Sequence, residues 1–316
     1  MTVAYVFPGQ GSQSVGMLAG FAASPRARAL LERADEALGE KLSALIAEGP
    51  SEALSLTVNT QPAMLVAGYV CWSEWRDAGG ALPLALAGHS LGEYTALAVA
   101  DAIAFEDAVR LVRLRAKAMQ EAVPVGEGSM AAILGLDDEG VRRACEEASA
   151  QAPHEVVAPA NWNAPSQVVI AGHRAGVERA CERAKALGAK RAMPLPVSAP
   201  FHSALLRPAG ERLAQALAEI GIRTPRWPVV NNVDVAVETE PARIRDALVR
   251  QASSPVRWVE VVQRLKAMGA TRVIEFGPAK VLTGLVSRID RSLEALCVHD
   301  PASLEAALAA GFGEKP

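Results

Sequence analysis

Short apolar runs alternate along this chain with longer stretches in which apolar residues recur every three to four positions. Val-Ala-Tyr-Val-Phe at 3–7, Leu-Ala-Leu-Ala at 84–87, and the runs at 272–276 and 295–298 read as buried strands. The stretches 61–75, 93–100, 105–122 and 280–288 carry helical periodicity. Buried apolar strands separated by helices predict an α/β fold around a parallel sheet, because parallel strands need a helical crossover and are covered on both faces.

Residues 129–195 follow another rhythm. Strands are predicted at 130–134, 155–159, 167–171 and 191–195, with helices at 138–150 and 176–187. The order β-α-β-β-α-β is that of a ferredoxin-like unit. Pro/Gly-containing connectors at 124–128 and 194–200 flank it. The predicted organisation is a large, hydrolase-like α/β domain built from 1–126 and 199–316, with a ferredoxin-like subdomain inserted at 127–198. A cleft between the two is the natural ligand site.

Composition narrows the class. Half of the 316 residues are apolar, 21% are charged, and the net charge is −3, which gives no general affinity for nucleic acid or anionic membrane. The four cysteines are scattered, without CxxC pairs or histidine spacing suited to zinc. They read as reduced thiols, so a cytoplasmic location is expected. The first residues form a strand with no basic leader, and no apolar run is long enough to span a bilayer. A soluble intracellular protein follows from this reading.

The candidate chemistry begins at Gly88-His89-Ser90-Leu91-Gly92-Glu93-Tyr94, directly after the strand at 84–87. In a Gly-x-Ser-x-Gly elbow the serine sits on a sharp strand-to-helix turn with its Oγ exposed above the sheet. Glycines at 88 and 92 let strand and helix approach closely, and the helix N-terminus favours negative charge on a reacting oxygen. The competing reading of Ser90 is an ordinary turn serine.

A nucleophilic serine needs a base. Of the five histidines, His89 adjoins the turn and reads as a structural hydrogen-bonding residue. His173 sits at a strand–helix boundary, and His154 and His299 sit in polar loops. His202, in the irregular run Val197-Ser198-Ala199-Pro200-Phe201-His202-Ser203, returns to the cleft after the inserted unit. It is the candidate base, against a capping role. Two further residues stay open between readings. Gly9-Gln10-Gly11 could be a plain turn after the first strand, and it lacks the Gly-Lys-Ser/Thr ending of a phosphate loop. Arg115, on a helix that also carries Arg110, Arg113 and Lys117, could be a solvated residue or the clamp for an anionic substrate.

Four segments in order carry a resemblance: Phe7-Pro8-Gly9-Gln10-Gly11-Ser12-Gln13, Gly88 to Tyr94, Arg113-Leu114-Arg115-Ala116-Lys117-Ala118-Met119-Gln120, and Gly277-Pro278-Ala279-Lys280-Val281-Leu282. Together they resemble the malonyl-coenzyme A:acyl carrier protein transacylase family, the free-standing acyltransferases of bacterial fatty acid synthesis. The resemblance implies Ser90 as nucleophile and His202 as base, the latter oriented by the backbone carbonyl of Gln251. It implies an oxyanion hole from the N–H groups of Gln10 and Leu91, and a malonyl-carboxylate clamp at Arg115. Asn161 and Asn231 match asparagines that line the cleft, and Phe201 matches the form associated with malonyl over bulkier branched units. After Gln251 the run Ala252-Ser253-Ser254 is smaller than in the family, so Pro255 is expected to set the carbonyl.

The implied reaction is a two-step malonyl transfer from malonyl-CoA to the phosphopantetheine thiol of an acyl carrier protein. It requires neither metal nor redox cofactor and is catalysed by a monomer. A discrete acyltransferase serving polyketide synthesis is the near alternative. A serine esterase or thioesterase would share the elbow but usually has an acidic third member, and a carrier-binding subunit without chemistry would not need both Ser90 and His202. Two basic groups could steer an acidic carrier: Arg183, Lys185, Lys190 and Arg191, or Lys280 and Arg288. Both could equally be ordinary solvated faces.

Overall fold

The computed structural model describes residues 2–197 and 199–313. Ser198, inside the predicted 194–200 connector, and the last three residues of the 199–316 segment lie outside the described residues.

Among the described residues nine strands form two sheets: β1 (Val3–Phe7), β2 (Ala85–Gly88), β3 (Gly128–Leu134), β4 (Val157–Ala164), β5 (Gln167–His173), β6 (Arg191–Pro194), β7 (Val229–Val230), β8 (Arg272–Phe276) and β9 (Glu294–Val298). The first sheet has the order β7-β2-β1-β8-β9 and every pairing is parallel. All five residues of β1 are buried. The pleat divides them between two cores, as the two-residue period of a strand demands. Tyr5 and Phe7 join Leu86, Ile274 and Phe276 under the helices Thr57–Asp77, Gly92–Val99 and Phe105–Glu121. Ala4 and Val6 join Ala85, Ala87 and Val273 under the helices Trp258–Ala267 and Val281–Ile289. The continuous apolar runs in the sequence reflect this double coverage.

The second sheet has the order β4-β5-β3-β6, antiparallel throughout, which is the ferredoxin-like arrangement of β-α-β-β-α-β. One face, with Ile133, Val168 and Ile170, packs on the helices Asp138–Gln151 and Arg174–Ala186. From the other, Met130, Val169 and Ala171 join the main core. β4 is longer than its prediction. It runs on to Ala164 and pairs at Asn161 with Val256, through Trp162 N–H to Val256 O at 2.9 Å and Val256 N–H to Ala160 O at 2.8 Å. The small sheet is thereby stitched to the segment just after Gln251.

Three of the four sequence segments that carry the resemblance meet at the carboxyl edge of the parallel sheet, where α/β folds place their ligands. The loop after β1, the elbow after β2 and the loop after β8 leave adjacent strands. They are in close touch: a Cβ on Gly9 would lie 2.8 Å from His89 O, and one on Gly277 would lie 2.5 Å from Pro8.

Candidate active site

Phe7 pairs with Gly88 at the end of β1 and β2, and the chain then turns sharply into the helix Gly92–Val99. A Cβ on Gly88 would lie 1.8 Å from Gly92 C, and one on Gly92 would lie 1.9 Å from Phe7 O. No other residue fits either position without moving backbone. Between the glycines Ser90 is held at φ 53°, in the left-handed region that non-glycine residues rarely enter. Asn232 supports that conformation. Its Oδ1 accepts the Ser90 N–H at 2.7 Å, and its Nδ2 donates to Gly88 O at 2.7 Å.

His202 approaches from the segment after β6, also with positive φ at 60°. Its Nε2 lies 2.6 Å from Ser90 Oγ. Its Nδ1 faces two carbonyls, Gln251 O at 3.0 Å and Ser254 O at 3.1 Å. Carbonyls only accept, so Nδ1 carries the hydrogen and the Nε2 lone pair is turned to the serine hydroxyl. Gln251 ends the helix Pro241–Gln251, where carbonyls lack intrahelical donors and the dipole favours an imidazolium. Burial, with Arg115 and His89 nearby, pulls the His202 pKa down to about 3, so the ring is neutral at physiological pH. Ser254 was not anticipated: a backbone carbonyl leaves no mark in residue type. Phe201, just before the histidine, is buried in the main core.

Arg115 is 1% exposed, which removes the solvated reading. Nη1 donates to Gln61 Oε1 at 2.8 Å, and Nη2 donates to Gln251 Oε1 at 2.9 Å and to Ser90 Oγ at 3.1 Å. The guanidinium also lies over the Tyr94 ring, 5.2 Å from its centroid. Among the described residues Arg115 forms no ion pair. A buried cation held only by neutral amides and a hydroxyl is a ready partner for a carboxylate beside the nucleophile.

Leu91 follows Ser90 within the elbow and Gln10 follows Gly9, which packs on His89 O; among the described residues neither backbone N–H donates to a protein acceptor. The Gln10 side chain instead bonds Thr57 Oγ1 at 2.8 Å. The two predicted cleft asparagines are placed differently. Asn161 is buried on β4, while Asn163 Oδ1 meets His89 Nε2 at 2.8 Å and lines the open cleft with Gly9, Gln10, Ser12 and Gln167. Asn231 Oδ1 accepts the Asp234 N–H at 2.8 Å in a local turn, and the residue lines a separate small cavity with Leu97 and Val229. Its neighbour Asn232 is the one that touches the elbow.

Glu93 was also missed as a site residue. It is buried in the first turn of a helix whose eight residues are all buried, and that anomaly in an apolar run was its only sequence signal. Oε2 accepts from Gln251 Nε2 at 2.8 Å and from Asn232 N–H at 2.9 Å. Burial pushes its carboxyl up to about 7, while these donors and Arg115 pull the other way. Among the described residues, no His/Cys/Asp/Glu group could hold a metal ion, and no helix is long and apolar enough to cross a membrane.

Residues 4–303 match the acyl transferase domain family. The malonyl CoA-acyl carrier protein transacylase of Salmonella typhimurium is 55% identical over 306 residues, covering 96% of this chain and 98% of the relative. This chain belongs to that family. It is an acyltransferase. The crystal structure of the acyl-carrier-protein S-malonyltransferase of Burkholderia pseudomallei superposes with a TM-score of 0.95 at 60% identity, covering 98% of this chain and 100% of that one. A malonyl-transacylase solved in complex with a holo type II polyketide synthase acyl-carrier protein superposes equally well, with a TM-score of 0.95 at 50% identity and coverage of 98% and 100%.

Proposed function

We propose that this enzyme moves a malonyl group from malonyl-CoA to the phosphopantetheine thiol of an acyl carrier protein in fatty acid biosynthesis. The observation that carries the substrate assignment is the buried guanidinium of Arg115 beside the Ser90 hydroxyl, without an ion pair among the described residues. Ser90 Oγ attacks the thioester carbonyl and passes its proton to His202 Nε2. The N–H groups of Leu91 and Gln10 receive the oxyanion, a contribution of about 3 kcal/mol per donor. The tetrahedral intermediate collapses, the C–S bond breaks, and the coenzyme A sulfur takes the proton from His202. The carrier thiol then gives its proton to His202 and attacks the malonyl-serine ester in reverse. Thioester and ester exchange without oxidation or reduction, and His202 with the two N–H groups handles the proton and the oxyanion, so neither a metal nor a redox cofactor is needed.

Two carbonyls at His202 Nδ1, where esterases usually place a carboxylate, support transfer over hydrolysis. We divide the chain into a catalytic domain, 1–126 and 199–316, and a ferredoxin-like subdomain, 127–198, acting as a cytoplasmic monomer. The carrier is acidic in this reading and meets Lys280 and Arg288. Both are exposed, and Arg288 Nη1 donates to Gln167 Oε1 at 2.6 Å on the wall of the open cleft. Arg183 is engaged by Glu147 instead. Intact mass after mixing with malonyl-CoA tests the core of the reading. One malonyl is added to the wild type and leaves on addition of holo carrier, and none is added to Ser90→Ala. Wild-type protein that releases free malonate at the rate of carrier loading is a hydrolase.

A further inference from the structure

The Gln251 amide sits between groups of fixed polarity. Its Oε1 accepts from Arg115 Nη2 at 2.9 Å, and its Nε2 donates to Glu93 Oε2 at 2.8 Å and to Ser90 O at 3.0 Å. A guanidinium cannot accept and a carbonyl cannot donate, so a flipped amide would set N–H against N–H and oxygen against oxygen. Glu93 is itself held by the Asn232 N–H at 2.9 Å. The other edge of the guanidinium rests on Gln61, whose own amide is steadied, among the described residues, by a 3.3 Å contact with Gln10 Oε1 and by Met119 Sδ. The Gln251 edge, which carries the Nη2 that reaches Ser90, is the better anchored one.

We infer that Glu93 is a positioning residue for acyl selectivity: it fixes the orientation of the Gln251 amide and, through it, the guanidinium of Arg115 that receives the substrate carboxylate. Glu93 acts here as an acceptor of the right reach. Lacking it, the Gln251 side chain can turn, Nη2 loses its anchor, and the fork no longer meets a carboxylate squarely. An acyl group without a carboxylate makes no use of that fork. The inference rests on the proposed role of Arg115, so the experiment measures both.

The readout is kcat/KM for malonyl-CoA divided by that for acetyl-CoA, at one pH and one salt concentration. Glu93→Met keeps the side-chain volume and deletes the acceptor, and its ratio is expected to fall about tenfold or more. Glu93→Gln keeps an acceptor oxygen at the same reach, and its ratio is expected within about threefold of wild type. Far-ultraviolet circular dichroism and thermal melting check the fold. If the Glu93→Met protein does not fold, Glu93→Asp, whose carboxylate is one methylene short of Gln251, takes its place with the same expectation. Equal losses on both substrates overturn the inference, since a residue that only supports the elbow would act on both alike. A Glu93→Gln ratio as low as that of Glu93→Met also overturns it. Arg115→Ala runs alongside: an unchanged ratio there removes the clamp reading itself, whereas a changed ratio there with none at Glu93 removes this inference alone.

Discussion

Asn232 holds Ser90 from behind: its Oδ1 takes the Ser90 N–H at 2.7 Å while its Nδ2 gives to Gly88 O at 2.7 Å. One side chain thus bridges the strand end and the strained residue of the elbow. Asn232→Ala would strand the half-buried Ser90 N–H and the buried Gly88 C=O, each costing up to about 1–3 kcal/mol. The expected loss of stability is roughly 2–6 kcal/mol by urea unfolding, together with slower formation of the malonyl-serine ester. Asn232→Asp keeps an acceptor for Ser90 but sets a carboxylate oxygen against Gly88 O in a buried site near Glu93, so it should be no milder than Asn232→Ala. Unchanged stability in Asn232→Ala would mean that the elbow keeps its geometry unaided.

The neutral state of His202 has a signature of its own. Its pKa is lowered to about 3, against an ordinary value near 6.5, so between these pH values the unfolded chain binds a proton that the native protein does not. Native stability from this group is therefore complete above about pH 6.5 and is lost as pH falls from there toward 3. Long-range ¹H–¹⁵N spectra of the imidazole should show a neutral ring, hydrogen on Nδ1, from pH 8 down to 5. A midpoint near 6.5 would count against the buried, carbonyl-held ring. His202→Ala should slow acylation about 10²–10⁴-fold and stay folded.

Arg115 separates selectivity from catalysis. Truncating one partner of a buried charge-assisted pair costs about 2–5 kcal/mol. Arg115→Ala is accordingly expected to lose roughly thirty-fold or more in kcat/KM for malonyl-CoA. Acetyl-CoA leaves no charge stranded, so its turnover should hold level or rise. Steady-state rates for the two thioesters under identical salt decide the matter, and a parallel fall in both would make Arg115 a structural helix residue.

The elements that were legible in the sequence are those with strong local pattern. β1 and β8 fall where the apolar runs at 3–7 and 272–276 placed them, and the β-α-β-β-α-β order of the small sheet follows from alternation alone. The elbow was legible because steric demand at Gly88 and Gly92 writes itself into residue type. Charge alone left Arg115 open between a solvated residue and the carboxylate clamp, because its neighbours are basic. It lies on the buried stripe Ala108, Leu111, Val112, Arg115, Met119 of its helix, and that position decides against the solvated reading without the resemblance. Asn231 and Asn232 could not be told apart locally. Which of them meets Ser90 depends on the register of the two-residue strand β7 against β2, and that is set by tertiary packing. The carbonyls of Gln251 and Ser254 are backbone atoms, whose placement no residue type encodes.

The carrier surface can be tested apart from the chemistry. Lys280 and Arg288 are exposed beside the open cleft, at the start and near the end of the helix segment that carries Val281, Leu282 and Leu285 to its wall. Arg183, by contrast, shares Glu147 with Arg143, so its charge is partly countered. Long-range attraction between an acidic carrier and uncountered cations acts mainly on encounter and fades with salt. The double change Lys280→Glu and Arg288→Glu should therefore raise the KM for holo carrier about tenfold at low salt, leave the rate of serine malonylation by malonyl-CoA near wild type, and flatten the salt dependence of carrier loading. Reversal at Lys185 and Lys190 should do little. If the two substrates respond equally to the first pair, those cations serve the cleft and not the carrier. If the second pair raises the carrier KM instead, docking belongs to the inserted subdomain.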